Sequence, residues 1–300
     1  MSELPTILVT NGWKTDRNRK LTEIVIPSTV KTLNAPTKVT FMGTSLTAIP
    51  SNASTLQEFV APNITSTVNK AFLGGYTALK KVVMTGLKSI GSNSATSSSF
   101  YGCTSLTDIQ LPSLEAISDT GSTGNVRGAF STCTALTSIS LPSLKTIYIA
   151  QNASNKGTFG DCTSLTSLQM PSLVSISASW GELLSSNVPL TELSLPSLTS
   201  VTADSCQVFK AVTTLSTVNL PKLTTTTANS TNNAAIFYNC TGLTNVTLGS
   251  EGNPVSTLSA YTFRGCTQST LTITVYTNGG ASLANSPWGA TNATIVYETA

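Results

Sequence analysis

Six cysteines are the first candidates for chemistry, and five of them (Cys103, Cys133, Cys162, Cys240 and Cys266) occupy one recurring slot. None makes C-x-x-C, and the chain contains no His, so no zinc or other metal site is expected. Copies of one slot stack with their side chains pointing the same way, which disfavours disulfides. The expectation is a column of buried free thiols serving as small apolar residues. Cys206 lies off the frame and is free to stand exposed.

The carboxylates offer no more. Asp108, Glu192, Glu58 and Glu23 fall on different repeats. Paired acids for glycoside hydrolysis need about 5 to 9.5 Å between them. Glu23 and Glu58 would meet that on adjacent coils, but nothing supplies a sugar cleft. Without His there is no Ser-His or Cys-His pair. The chain is read as having no catalytic residues and no cofactor: it is not expected to be an enzyme.

The element that positions these residues is a frame written three times between residues 100 and 176. It reads F-x-x-C-T-x-L-T-x-[IL]-x-[LM]-P-S-L and is closed by Ile117, Ile147 or Ile176. A frame this regular predicts a solenoid, in which each unit buries its apolar face against its neighbours. Equivalent leucines recur every 23 to 30 residues, within the leucine-rich-repeat range. The variation falls in loops at 91–99, 118–129, 148–158 and 224–236, which are rich in Ser, Thr, Asn and Gly and so belong on the surface.

Elsewhere the frame loosens. Ile7-Leu-Val9 reads as a strand, Asn11-Gly12 as a tight turn, and Trp13 as a cover for the first coil. Lys14, Arg17, Arg19 and Lys20 form a small basic cluster, read as a solvated edge or an attachment site. The first repeat core is Leu21-Thr-Glu-Ile24-Val-Ile26-Pro27, and residues 34–55 are irregular. The frame resumes at Leu56 and continues through Phe72 and Leu79. It persists with Leu184, Phe209, Phe237 and Phe263 in the Phe slot. The strand from Leu271 to Tyr276 has a shifted register and is assigned to a C-terminal cap, with Trp288 over the end and a last strand from Thr294 to Tyr297. The expected layout is a cap at 1–20, about nine coils over 21–267 with an insertion at 34–55, and a cap at 268–300.

Charged residues make up 10% of the chain and the net charge is +3, which leaves no footprint for nucleic acid. Ser and Thr supply roughly three residues in ten, against the ordinary composition. No apolar run approaches the ~20 residues of a membrane span, so membrane insertion is not expected. The first residues carry no basic segment followed by an apolar core, so no secretory signal is read there.

The repeated F-x-x-C-T-S-L-T-x-I-x-L-P-S-L resembles the BspA-type leucine-rich repeat of bacterial surface proteins, some protists and phages, over residues 21 to 276. The ending from Ser286 to Tyr297 is similar to the tail of such arrays. The resemblance implies a β-rich solenoid of short strands stacked into a parallel sheet, capped at both ends. It also implies adhesion or recognition of proteins or glycans, with no catalytic residues to carry over.

Alternation places two outward residues in each L-x-x-I-x-L strand. In order these are Glu23/Val25, Glu58/Val60, Lys81/Val83, Asp108/Gln110, Ser138/Ser140, Ser167/Gln169, Glu192/Ser194, Thr217/Asn219 and Asn245/Thr247. The middle and C-terminal pairs read as a flat polar surface, idle or weakly binding. Val25, Val60 and Val83 would form an apolar stripe beside Glu23, Glu58 and Lys81, unless residues 34–55 intervene. Such stripes often mark contacts. Tyr148 and Trp180, with Asn152 and Asn155, mark the loops as a further candidate. The leading reading is a non-enzymatic adhesion module that recognises a host-cell or surface protein or glycan from an extracellular or bacterial-surface position. The alternative is a phage virion part, a tail fibre, tip or decoration protein, with the solenoid as spacer and other virion subunits as partners.

Overall fold

A computed structural model describes residues 54–67, 72–92, 99–119, 128–149, 157–179, 181–204, 206–228 and 234–300, together with the backbone of 13–15, 21–24 and 38–40. The chain winds as a β-solenoid. Each turn lays the L-x-x-I-x-L segment on one face, called the front. It turns at Pro-Ser and lays a second short strand on the back. It then returns through the F-x-x-C turn along a third side.

The back face is one continuous parallel sheet of seven strands: Ser66–Thr67, Ser89–Ser92, Ala116–Asp119, Thr146–Ile149, Ser175–Ala178, Ser200–Ala203 and Thr225–Ala228. Ile117, Ile147, Ile176 and Val201 stand in line across it and are all buried. These are the closing residues of the frame. Small hydroxyl side chains fill most of the outward positions between them, with Tyr148 as the large exception.

Among the described residues seven turns, spanning 58–228, carry both a front and a back strand. The expectation was about nine, because it included the frames at both ends. The turn that begins at Asn245–Leu248 reaches the back sheet through a single bridge, Thr257 to Thr225. Leu21–Ile24 pairs antiparallel with Trp13–Thr15 instead of joining the parallel stack.

The core is a set of ladders. Phe100, Phe130 and Phe159 stack with centroids 5.5 and 5.2 Å apart and rings within 7° of parallel. Phe209, Phe237 and Phe263 repeat this at 4.8 and 5.4 Å. These distances are close to the ~4.8 Å strand spacing, so the coil repeat itself sets the stack. Leu184 interrupts the column, bridging to Phe209. Leu73, not Phe72, holds the slot before Phe100. It is fully buried, and its N–H bonds Ser99 O as Phe100 N–H bonds Ala129 O. Trp288 ends the second column, fully buried, 6.5 Å from Phe263, with its indole N–H on Ala284 O at 2.9 Å.

The thiols follow the expected column. Cys103, Cys133, Cys162, Cys240 and Cys266 are buried and free. Each S–H donates to the carbonyl of the Phe-slot residue one coil earlier, for example Cys133 to Phe100 O at 3.2 Å and Cys162 to Phe130 O at 3.1 Å. Burial pushes the Cys103, Cys162 and Cys240 thiols up to about 12. Cys206 departs from expectation: it is 4% exposed and donates to Ala178 O. It directly precedes Gln207–Lys210, a strand that pairs with Ala235–Tyr238 and gives these coils a third sheet.

Two devices hold the coils at close spacing. The Thr after the frame leucine caps a carbonyl of the coil before it, as in Thr107 to Lys80 O and Thr166 to Thr137 O, both 3.3 Å. Gly128 lies against the backbone of Gly157, and Gly157 against that of Glu182, with no room at either position for a Cβ. The buried Asp119 ends its strand by accepting bonds from Thr158 Oγ1 at 2.8 Å and Ala129 N at 3.3 Å.

The strand Thr272–Thr277 continues the front sheet despite its shifted spacing, with Val246 opposite Ile273 and Leu248 opposite Val275. One residue is lost before the strand, not inside it, so inward and outward positions stay in step. Thr294–Thr299 pairs beside it as the last strand. Among the described residues no helix is long and apolar enough to cross a membrane.

Candidate functional site

The front face carries the outward side chains that differ from coil to coil, and it is not one sheet. Its strands form three groups. The first is Lys38–Thr40, Glu58–Val60, Lys81–Val83 and Asp108–Gln110. The second is Ser138–Ser140 with Ser167–Gln169, and the third runs from Glu192–Ser194 to Thr294–Thr299. The back sheet passes both joints unbroken, so the solenoid opens on one side only.

The first group overturns the N-terminal stripe. The neighbour of Glu58–Val60 is Lys38–Thr40, with Lys38 opposite Glu58 and Thr40 opposite Val60. Residues 34–55 therefore do intervene. Glu23 lies in the antiparallel pair opposite Lys14, and Val25 lies outside the described residues. Val60 and Val83 do stand side by side, but each is only half-exposed. Beside them the column reads Lys38, Glu58, Lys81, Asp108, alternating in sign. Lys81 Nζ sits 3.2 Å from Asp108 Oδ2, and Gln110 Nε2 donates to the same carboxylate at 3.3 Å. Both partners of the ion pair are more than 40% exposed, so it is worth about 0–1 kcal/mol. It is a local tie more than an anchor.

Tyr148 is 42% exposed, but it stands on the back face, in register between Ser118 and Ser177. Ile147 and Ile149 point inward on either side of it, so alternation turns its ring away from the front. It cannot join Glu58, Val60, Lys81 or Val83 in one site. Trp180, Asn152 and Asn155 lie outside the described residues.

The joint between Ser167–Gln169 and Glu192–Ser194 opens into a cleft of about 380 Å³. Thr166 to Pro171 form one wall, and Thr191, Glu192, Ser194 and Pro196 the other. At regular joints the N–H groups entering each front strand bond the carbonyl one coil back, as Ser216 and Thr217 do to Thr191 O. Among the described residues no backbone bond joins 166–170 to 191–195. Through the gap Leu168 is 7% exposed, whereas Val82, Leu193 and Val246 in equivalent positions are 0% exposed.

Four of the lining residues, Ser167, Gln169, Glu192 and Ser194, are legible in the sequence as outward pairs, but as part of a flat surface. The interval from Leu165 to Leu190 is four residues shorter than the one before it. The next interval is just as short without a break, so spacing by itself does not locate the joint.

Comparison with known proteins adds a family. The model for the BspA type leucine rich repeat region matches in six copies, over residues 15–148, 65–180, 96–232 and 126–270. No curated protein matches. Among solved structures, a leucine-rich repeat protein from Bacteroides ovatus is 18% identical with a TM-score of 0.34, over 97% of this chain and 90% of that one. A leucine rich cell surface protein from Faecalibacterium prausnitzii is 15% identical with a TM-score of 0.33, over 97% and 95%.

Proposed function

The chain belongs to the BspA-type leucine-rich repeat family, and from that premise we propose that it is a non-enzymatic binding module. It acts at a bacterial surface, where its front face recognises a protein or glycan partner. One observation carries this reading. Inward positions repeat coil after coil as Phe, Cys, Leu and Ile, while the outward front pairs run from Lys81/Val83 through Ser138/Ser140 to Thr217/Asn219. A scaffold that holds its core constant and varies one exposed face is suited to extended recognition. No observation favours the virion-spacer alternative.

The test compares two faces of one protein. Purified chain is applied to bacterial and epithelial cells and to immobilised matrix glycoproteins. It is tested beside a front variant (Ser140→Lys, Gln169→Lys, Asn219→Lys) and a back variant (Ser177→Lys, Thr202→Lys). Binding should be lost in the front variant and kept in the back variant. Loss in the back variant alone, or no binding of the unaltered chain to any surface, overturns the proposal.

A further inference from the structure

We propose that the open joint between Ser167–Gln169 and Glu192–Ser194 is a binding cleft for an uncharged saccharide, held edge-on by Gln169, Glu192, Ser167 and Ser194. This rests on the reading of the front face as the recognition surface and assigns it a ligand class and a place.

The joint is built to receive something polar. In a regular joint, Thr191 O accepts from the N–H groups of Ser216 and Thr217, and Leu195 N–H donates to Asn219 O. The corresponding groups here are Thr166 O, the N–H groups of Thr191 and Glu192, and Met170 N–H. They face the cleft with no backbone partner across it. The capping hydroxyl is missing too. Thr166 reaches Thr137 O and Thr244 reaches Ser216 O, but Thr191 makes no such bond to the coil before it. Ser167, Gln169, Glu192 and Ser194 add a hydroxyl, an amide, a carboxylate and a hydroxyl. None of these four side chains bonds another described residue. The other joint differs, because Gln110 there is already bonded to Asp108 and Asp108 to Lys81.

Width decides the class of occupant. The Cα atoms of the two strands come within 8 Å across the gap. A peptide strand added between them would need two ladder spacings, about 9.6 Å. At that closest approach the opening is narrower than an inserted strand needs. Charge narrows the class further. Among the described residues Glu192 is the only ionisable one in the lining, with no Lys or Arg, so sulfated, phosphorylated or carboxylated sugars meet repulsion. Pro171, Pro196 and the exposed edge of Leu168 offer apolar surface to the C–H faces of a ring. The volume of about 380 Å³ is at the small end of ligand pockets, about 300–1,000 Å³, which suits a short saccharide segment.

The experiment uses saturation-transfer NMR and calorimetry with a panel of neutral gluco-, galacto-, manno- and N-acetylglucosamine oligosaccharides. Sialylated and sulfated oligosaccharides and an extended Ser/Thr-rich peptide serve as comparison probes. At least one neutral oligosaccharide should bind, with little dependence on salt. Glu192→Ala and Gln169→Ala should each weaken it about ten- to hundredfold, Ser194→Tyr should block it, and Thr202→Ala on the back face should leave it unchanged. All four positions are on the surface, and circular dichroism checks that each variant folds. The proposal is overturned if binding survives the cleft variants or if only the anionic sugars or the peptide bind there. It also fails if no neutral saccharide binds while the chain still adheres to cells. That last outcome leaves the recognition function standing. Failure to bind any surface removes both.

Discussion

Replacing Phe130 with Leu tests whether the aromatic column contributes through ring stacking or through volume alone. Phe130 is fully buried between Phe100 and Phe159, at 5.5 and 5.2 Å, so Leu removes two stacked pairs. Phe209 has one ring neighbour, Phe237 at 4.8 Å, and Leu184 on its other side. There Leu removes a single pair. An aromatic pair is worth about 0.5–1.5 kcal/mol beyond its buried area. The stacking loss is thus about 1–3 kcal/mol for Phe130→Leu and about half that for Phe209→Leu. Leu is an accepted occupant of the slot, as Leu73 and Leu184 show, so the cavity contribution is small and similar in both. Phe130→Ala, which opens a cavity as well, should cost about 3–5 kcal/mol. Urea unfolding followed by circular dichroism measures each change, with the slope checked for loss of cooperativity along the array. Equal costs for the two Leu variants would refute stacking as the source and leave burial alone.

Gly157→Ala places a methyl against the backbone of Glu182 and should destabilise by about 1–3 kcal/mol, whereas Gly91→Ala, with open space around it, should be near neutral; urea midpoints of the pair decide. The five slot thiols, all buried, should resist a thiol reagent in the folded chain and react at once in denaturant, because burial disfavours the thiolate; a fast native fraction from them would contradict the column. Glu182 pairs with Lys210 at 2.7 Å, yet burial raises its carboxyl above the ordinary 4.5. Its folded value thus exceeds its unfolded one, so stability should fall as pH rises from 4.5 through the folded value, and Glu182→Gln should flatten that fall in pH-resolved melting. Glu115 has the opposite sign. The Lys145 hydrogen bond lowers its carboxyl, so its small contribution is present above 4.5 and lost as pH falls through the folded value, and Glu115→Gln should remove that acid-side loss.

Local pattern carried a large part of the fold. The Phe, Cys, Leu and Ile slots each became a buried ladder, because their spacing is a property of one coil and every coil repeats it. The thiol column followed from the same repetition. Slots went astray where one coil departs from the frame: Leu73 displaced Phe72 by one residue, and Cys206 was drawn inward beside the third sheet that Gln207–Lys210 and Ala235–Tyr238 form. The candidate site was legible only as a set of outward residues. The strand beside Glu58–Val60 is Lys38–Thr40, from the stretch read as irregular, and Tyr148 proved to face the opposite way.

Sequence alone settles that the chain is a solenoid, which side chains of the regular coils face inward and which vary outside, and that it contains no His. These are one-coil properties, set by alternation along a strand and by a repeated spacing. Which coils touch, in what register, and where the front ladder parts between Gln169 and Glu192 while the back sheet holds emerge in the folded chain. Such a joint depends on how two neighbouring coils tilt and seat against each other. That balance is summed over backbone bonds, loops and glycine contacts from separate turns, and no single repeat contains it.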